Sequence, residues 1–148
     1  ACPLGEKMLG RIGRLLKEQK GAALLIDYGP SENEIGDSFQ ALRAHEFTDP
    51  LANPGEADLT AHVKFPALVR QVTAMGLSCH GPTPQGRFLE RLGIEARAML
   101  LSKNATEAQK KKLRGELLRL TSAEEMGTLF KALALTHGLT AAPEGFGG

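Results

Sequence analysis

The sequence predicts an α/β fold, and three stretches carry the prediction. Gly21-Ala22-Ala23-Leu24-Leu25-Ile26-Asp27-Tyr28-Gly29-Pro30 holds an unbroken apolar run that ends in an acid, an aromatic and a turn. A run of that kind, bounded by turn signals, reads as a strand buried on both faces. An amphipathic segment precedes it directly, and helix followed by buried strand is the pattern of an α/β layer. A further helix and short strand read at 66–80, and a third apolar strand at 128–136.

The elements follow in order. Over 4–20, Leu4, Met8, Leu9, Ile12, Leu15 and Leu16 fall at helical spacing, with charged residues between them. Gly21 is the stop signal for that helix. The strand 22–28 ends where Gly29 turns and Pro30 cannot donate to a ladder. Asp27 and Tyr28 therefore sit at its carboxyl end. In open α/β sheets ligands bind in the crevice outside that end. The alternative for Asp27 is a cap or a bond to a neighbouring loop.

Residues 30–63 are too long for an ordinary connection and too apolar for disorder. Phe39, Leu42, Phe47, Leu51 and Leu59 need a place to pack, and Ser38–Phe47 reads as either a strand or a helical turn. From Phe65 the helical pattern is clear, with Pro66 in the first turn and Gly76 at the end. Leu77–His80 is a short strand, and Gly81-Pro82-Thr83-Pro84 is a breaker run. Gln85–Lys103 returns to helical spacing, bent or split at Gly93. Thr106 with Gln109 forms a capping box for the next helix, in which Lys110-Lys111-Lys112 is a solvated face. Ser122 with Glu125 is a second capping box, opening a short helix that Gly127 ends. Thr128–Thr136 is the last strand, with Lys131 as its single break in apolar character.

Composition narrows the function classes. The chain has 148 residues, enough for one domain, with 18 Lys plus Arg against 17 Asp plus Glu. So balanced a charge gives no electrostatic case for nucleic acid or an anionic membrane. No apolar run is long enough for a bilayer span, and no signal peptide opens the chain. Cys2 and Cys79 lack CxxC spacing, which points to a reducing compartment without a metal knuckle.

The densest polar cluster is Asp49-Pro50-Leu51 together with the run from Pro54 to Val63. Asp58 and His62 are four residues apart. On a helix both would lie on one face, where a carboxylate orients an imidazole for general base catalysis or metal binding. The alternative is a loop histidine bonded to an aspartate for structural reasons. A metal-dependent hydrolase using Asp49, Asp58 and His62 would need further ligands, and the chain has no HExxH spacing. It also has no Gly-x-Ser-x-Gly elbow and no glycine-rich phosphate loop after a strand.

Taken together, several motifs resemble one family. They are Leu25-Ile26-Asp27-Tyr28-Gly29, Asp49-Pro50-Leu51 with Pro54-Gly55, and the run Ala57-Asp58-Leu59-Thr60-Ala61-His62-Val63-Lys64-Phe65. Gly81-Pro82 with Gln85-Gly86 and Phe88-Leu89, Leu92-Gly93-Ile94, and Met126-Gly127 complete the set. In order and spacing they resemble the MidA-like family of S-adenosylmethionine-dependent methyltransferases, over nearly the whole chain from about Gly21. Lys64 departs from the pattern, standing where an acid is expected.

The resemblance implies a Rossmann-like class I methyltransferase sheet, of which this chain would be the carboxyl-terminal half. Its three strands would place the last, antiparallel, between Ala22–Tyr28 and Leu77–His80. The family is implicated in assembling respiratory complex I, and its mitochondrial relatives are described as protein arginine methyltransferases. The implied cofactor is S-adenosylmethionine. Its glycine-rich loop and ribose-binding acid belong to the amino-terminal half, so the fragment alone is expected to be inactive. The implied partners are that half and a protein substrate, with no nucleic acid and no membrane insertion. The implied location is cytoplasmic in a bacterial-type chain and mitochondrial in a eukaryote.

By the same motifs Asp27, Tyr28 and Thr60 would bind substrate. Asp58 would be the carboxylate that positions a guanidinium, and His62 its orienter or proton acceptor. The 30–63 loop would cover the site. The competing reading is a non-catalytic assembly domain of the same fold.

Overall fold

The computed structural model describes residues 2–33 and 36–147. Helix α1 (Pro3–Gln19) leads into β1 (Gly21–Tyr28). After an excursion, α2 (Phe65–Ala74), β5 (Ser78–Pro84) and α3 (Gln85–Arg91) follow. Then come α4 (Ile94–Ser102), α5 (Glu107–Thr121), α6 (Met126–Leu129) and β6 (Phe130–His137). The main sheet has the order β1-β6-β5, with β6 antiparallel to both neighbours. The last strand thus lies between the other two, as the resemblance implies.

One face of this sheet carries the core. Leu9 and Leu16 of α1, Val72 of α2, Leu77 and Leu135 form its buried centre, with Ala23 and Leu25 of β1 packed against them. The register pairs Ala23 with Leu135 and Leu25 with Leu133, so the four side chains share that face. On the opposite face β6 presents Ala132 and Ala134, small enough for α3 to approach β5 and β6 closely.

The β1 half of that second face is different. Leu24 and Ile26 remain 50% and 48% exposed, and β1 is an edge strand among the described residues. The expectation of a strand buried on both faces is therefore half right: one apolar face is covered and the other is open.

Three boundaries also differ from the sequence reading. The supposed breaker run belongs to β5, which bulges between His80 and Thr83 and then pairs Thr83 with Ala132 and Pro84 with Lys131. Prolines are tolerated there because β5 is an edge strand. Gly127 does not end a helix but lies within α6, and the last strand starts at Phe130, not Thr128. Glu125 makes no side-chain cap, and Ser122 is the carboxyl cap of α5. The capping box at Thr106 and Gln109 is present in both directions. Gly93 splits α3 from α4 with a left-handed φ of 80°.

The 30–63 excursion folds as a second small sheet, β3-β2-β4, made of β2 (Gln40–Arg43), β3 (Glu46–Thr48) and β4 (Asp58–Thr60). Ser38–Phe47 is thus mostly strand. Its apolar residues do not all find a core. Ala41 is fully buried, but Phe47 and Leu51 are 76% and 82% exposed.

Candidate functional site

A cleft of about 490 Å³ opens at the carboxyl end of β1. Its walls come from the chain just after β1 (Pro30, Glu32, Asn33), the approach to β2 (Asp37, Ser38, Phe39) and the exit from β4 with the start of α2 (His62, Lys64, Pro66, Arg70). Its position follows from the chain path. β1 ends at a turn, the excursion leaves and returns beside it, and the seam between departing and returning segments is the cleft.

Two hydrogen bonds close the seam. The Val63 amide donates to the Tyr28 carbonyl at 3.0 Å, and the His62 amide donates to Ser38 Oγ at 3.0 Å. The first continues the edge of β1 by one bond. The second ties the returning segment to the departing one. Tyr28 sets its ring edge-on to His62, centroids 5.8 Å apart, and edge-on to Phe130 at 5.5 Å. Such aromatic pairs favour one orientation, so His62 is held by its backbone and by its ring.

The sequence-derived candidates separate in space. His62 lines the cleft, and Tyr28 reaches it through its contact with His62. Thr60, on β4, has a buried hydroxyl with no hydrogen-bond partner among the described residues. A buried hydroxyl left without a partner is costly, and Thr60 is not among the residues that line the cleft. Asp27 accepts a hydrogen bond from the Tyr28 amide at 2.8 Å and so organises the strand end.

Asp58 is exposed at the start of β4 and does not line the cleft. The helical spacing that would join Asp58 to His62 does not exist here. The segment is extended, and four extended residues span roughly 13 Å. Among the described residues, the carboxylates that line the cleft are Glu32 and Asp37, with Lys64 and Arg70 opposite in charge. No motif singled them out, because a turn-rich loop gives no periodicity to read. Asp37 accepts from the Phe39 amide at 2.9 Å, which shapes the turn.

The excursion's charge is one-sided. Residues 30–63 hold seven acids and one basic residue, Arg43, within a chain whose total is +1. A region of one sign raises the local concentration of oppositely charged ligands. Among the described residues no three His, Cys, Asp or Glu side chains gather closely enough to hold a metal ion. No helix among them is long and apolar enough to cross a membrane.

An S-adenosylmethionine-type cofactor would need a cradle at the strand ends. β1 runs into the excursion and not into a helix. β5 runs directly into α3, where a Cβ on Gly86 would lie 2.4 Å from the Thr121 carbonyl oxygen. Neither junction leaves a glycine-rich cradle, so these residues do not by themselves fit that group.

Comparison with known proteins bears on what the cleft serves. Residues 1–83 match the model of a family described as S-adenosyl-L-methionine-dependent methyltransferase. The mitochondrial protein arginine methyltransferase NDUFAF7 homolog of Drosophila melanogaster is 40% identical over 139 residues, covering 93% of this chain and 31% of that protein. Protein arginine methyltransferase NDUFAF7, mitochondrial, of Xenopus tropicalis is 38% identical over 131 residues, covering 88% of this chain and 30% of the relative. A crystal structure from Burkholderia thailandensis, bound to S-adenosyl-homocysteine, superposes with a TM-score of 0.80 at 28% identity, covering 93% of this chain and 38% of the other. The chain therefore spans about a third of the length of the curated relatives it matches.

Proposed function

The chain belongs to this S-adenosyl-L-methionine-dependent methyltransferase family, and we propose that it supplies the substrate side of a protein arginine methyltransferase linked to respiratory complex I assembly. The observation that carries the reading is the cleft itself. It places His62 with two carboxylates at the end of β1, on an excursion of strongly negative sign.

A guanidinium is planar, always charged and rich in donors, and carboxylates accept its fork of hydrogen bonds. Glu32 and Asp37 line the cleft and can do this, in the role that the resemblance implies for Asp58. His62 orients the substrate or accepts its proton, with Tyr28 bracing the ring. The excursion's acids favour the approach of a positively charged protein segment, while Lys64 and Arg70 balance Glu32 and Asp37 in the cleft wall itself.

In this reading the cofactor cradle lies in the rest of the protein, which packs as a further part of the sheet against the open edge of β1 and the exposed face of Leu24 and Ile26. The chain is then the carboxyl-terminal part of the domain, as the resemblance implies.

The test uses the intact protein, with S-adenosyl-homocysteine binding and methyl transfer measured separately. Hydrogen bonds to charged groups contribute about 1.5–3 kcal/mol, which is roughly 10–150-fold in rate. Glu32→Gln, Asp37→Asn and His62→Ala should each lower kcat/KM for the protein substrate at least tenfold, with binding of S-adenosyl-homocysteine unchanged. Asp58→Ala should stay within about twofold. If Asp58→Ala abolished transfer and the cleft variants did not, the cleft would not be the substrate side. If the intact protein bound no S-adenosyl-homocysteine, the non-catalytic reading would replace this one.

A further inference from the structure

Lys131 is 8% exposed and lies in the most buried strand of the molecule. Its ammonium donates to the Gly29 carbonyl at 2.9 Å, to the Leu129 carbonyl at 3.3 Å and to the Thr128 carbonyl. These carbonyls belong to two separate segments. Thr128 and Leu129 close α6, where a cation meets the helix carbonyls favourably. Gly29 directly follows β1, on the other side of the sheet junction.

The Gly29 amide donates to the same Leu129 carbonyl at 3.3 Å. A Cβ on Gly29 would lie 2.1 Å from the Val63 carbonyl oxygen, so Val63 rests directly on this glycine. Val63 in turn bonds Tyr28, and its neighbour His62 lines the cleft. An unbroken run of contacts joins Lys131 to Gly29, Gly29 to Val63, and Val63 to His62.

Packing alone does not call for a lysine here. Burying an ammonium is costly, and an apolar side chain of similar volume in such a site is often as stabilising or more so. A cation helps by satisfying several carbonyls that must stay in one arrangement.

We propose that Lys131 is a positioning residue for the cleft. Resting on the function proposed above, it sets the place of Gly29 and, through Val63, of His62. Lys131 is not among the residues that line the cleft, and it bears on His62 through the backbone it binds.

The experiment is Lys131→Met in the intact protein, which keeps the length of the side chain and removes its donors. Amide exchange is measured by NMR or mass spectrometry beside methyl transfer. The amides of Gly29 and Val63 should exchange at least tenfold faster, while those of Leu133 and Leu135 change less than twofold. The kcat/KM for the protein substrate should fall at least tenfold. A lysine that only contributes to global stability would speed all four amides together, and that result overturns the proposal. So does unchanged exchange at Gly29 and Val63, or faster exchange there with unchanged kcat/KM.

If the unaltered protein transfers no methyl group, the function proposed above fails, and the exchange pattern alone still decides whether Lys131 positions the seam. Should Lys131→Met not fold, Lys131→Arg carries the test. It keeps the charge, but its planar fork cannot put one nitrogen on the same carbonyls. Selective acceleration at Gly29 and Val63 would support the proposal, and a wild-type exchange pattern would overturn it.

Discussion

Replacing Gly127 by alanine sets helix propensity against packing, and the two disagree in sign. Gly127 lies inside α6, where alanine is favoured over glycine by about 1 kcal/mol. Yet an added Cβ would meet the Thr121 carbonyl oxygen at 2.0 Å, the Thr121 carbonyl carbon at 2.4 Å and the Ser122 oxygen at 2.5 Å. All three are backbone atoms, so no rotamer change relieves them. The end of α5 must move by about 1 Å, against the Gly127 amide's bond to the Ser122 carbonyl at 2.9 Å. Overpacking costs about 1–3 kcal/mol and a lost hydrogen bond about 1 kcal/mol, so the net after the propensity gain is about 1–3 kcal/mol of destabilisation. Gly86 presses on the same Thr121 oxygen from α3, at 2.4 Å for its notional Cβ. Gly86→Ala should therefore also destabilise. The double variant should cost less than the sum, because one displacement of α5 relieves both clashes. Gly115 of α5 faces open space, so Gly115→Ala should stabilise by up to about 1 kcal/mol. Urea unfolding followed by circular dichroism reads these as midpoint shifts at constant slope. If Gly127→Ala and Gly115→Ala stabilised the protein equally, the close approach of α6 to α5 would be wrong.

Two further outcomes are expected. Lys64 is the amino cap of α2, has no side-chain acceptor for the helix amides, and puts a positive charge at the positive end of the helix. Lys64→Asp should stabilise by about 1 kcal/mol in thermal or urea unfolding, and a loss of stability would mean that Lys64 serves the cleft more than the cap. Cys79 is partly buried, and desolvation holds its thiol above the ordinary range, whereas Cys2 is exposed. At pH 8 iodoacetamide should modify Cys2 about tenfold faster than Cys79, read by peptide mass. Cys79 keeps its proton longer folded than unfolded. Its contribution to stability is therefore complete below the ordinary thiol value of 9.0 and is lost as pH rises through the folded value. A rise in stability above pH 9.0 would contradict this.

Much of the fold is legible in the sequence because its signals are local. The helix at 4–20, the strand to Tyr28, the helix from Phe65 and the capping box at Thr106 each depend on neighbours a few residues away. What could not be read depends on contacts between distant segments. The glycine at 127 reads as a stop signal, but its lack of a side chain serves an approach to Thr121. Gly81 to Pro84 read as a break because a bulged edge strand tolerates residues that a central strand does not. Leu24 and Ile26 read as buried because an apolar run shows what a strand can cover, not whether a cover is present. The charged wall of the cleft, Glu32, Asp37 and Arg70, left no pattern at all, since two loops and a helix turn contribute one or two residues each.

The motifs that carry the family resemblance divide sharply in what they do. Gly29 makes room for the Val63 carbonyl, while Gly86 and Gly127 make room for the Thr121 carbonyl. Gln85 is buried and donates to the Leu120 carbonyl at 3.0 Å, holding the same end of α5. Asp27 folds back on the amide of its neighbour. In the run from Ala57 to Phe65, His62 and Lys64 line the cleft. Most of these residues thus fix where backbones cross, and few of them face a substrate. This division accounts for why no motif singled out the carboxylates that line the cleft. A motif recognisable in sequence is recognisable because backbone approach tolerates one or two residue types, whereas a carboxylate that grips a guanidinium can be set on any nearby loop. Substitutions in these motifs should therefore act first on the geometry of the seam and of the α5 end. They bear on the cleft through His62 and Lys64, which line it.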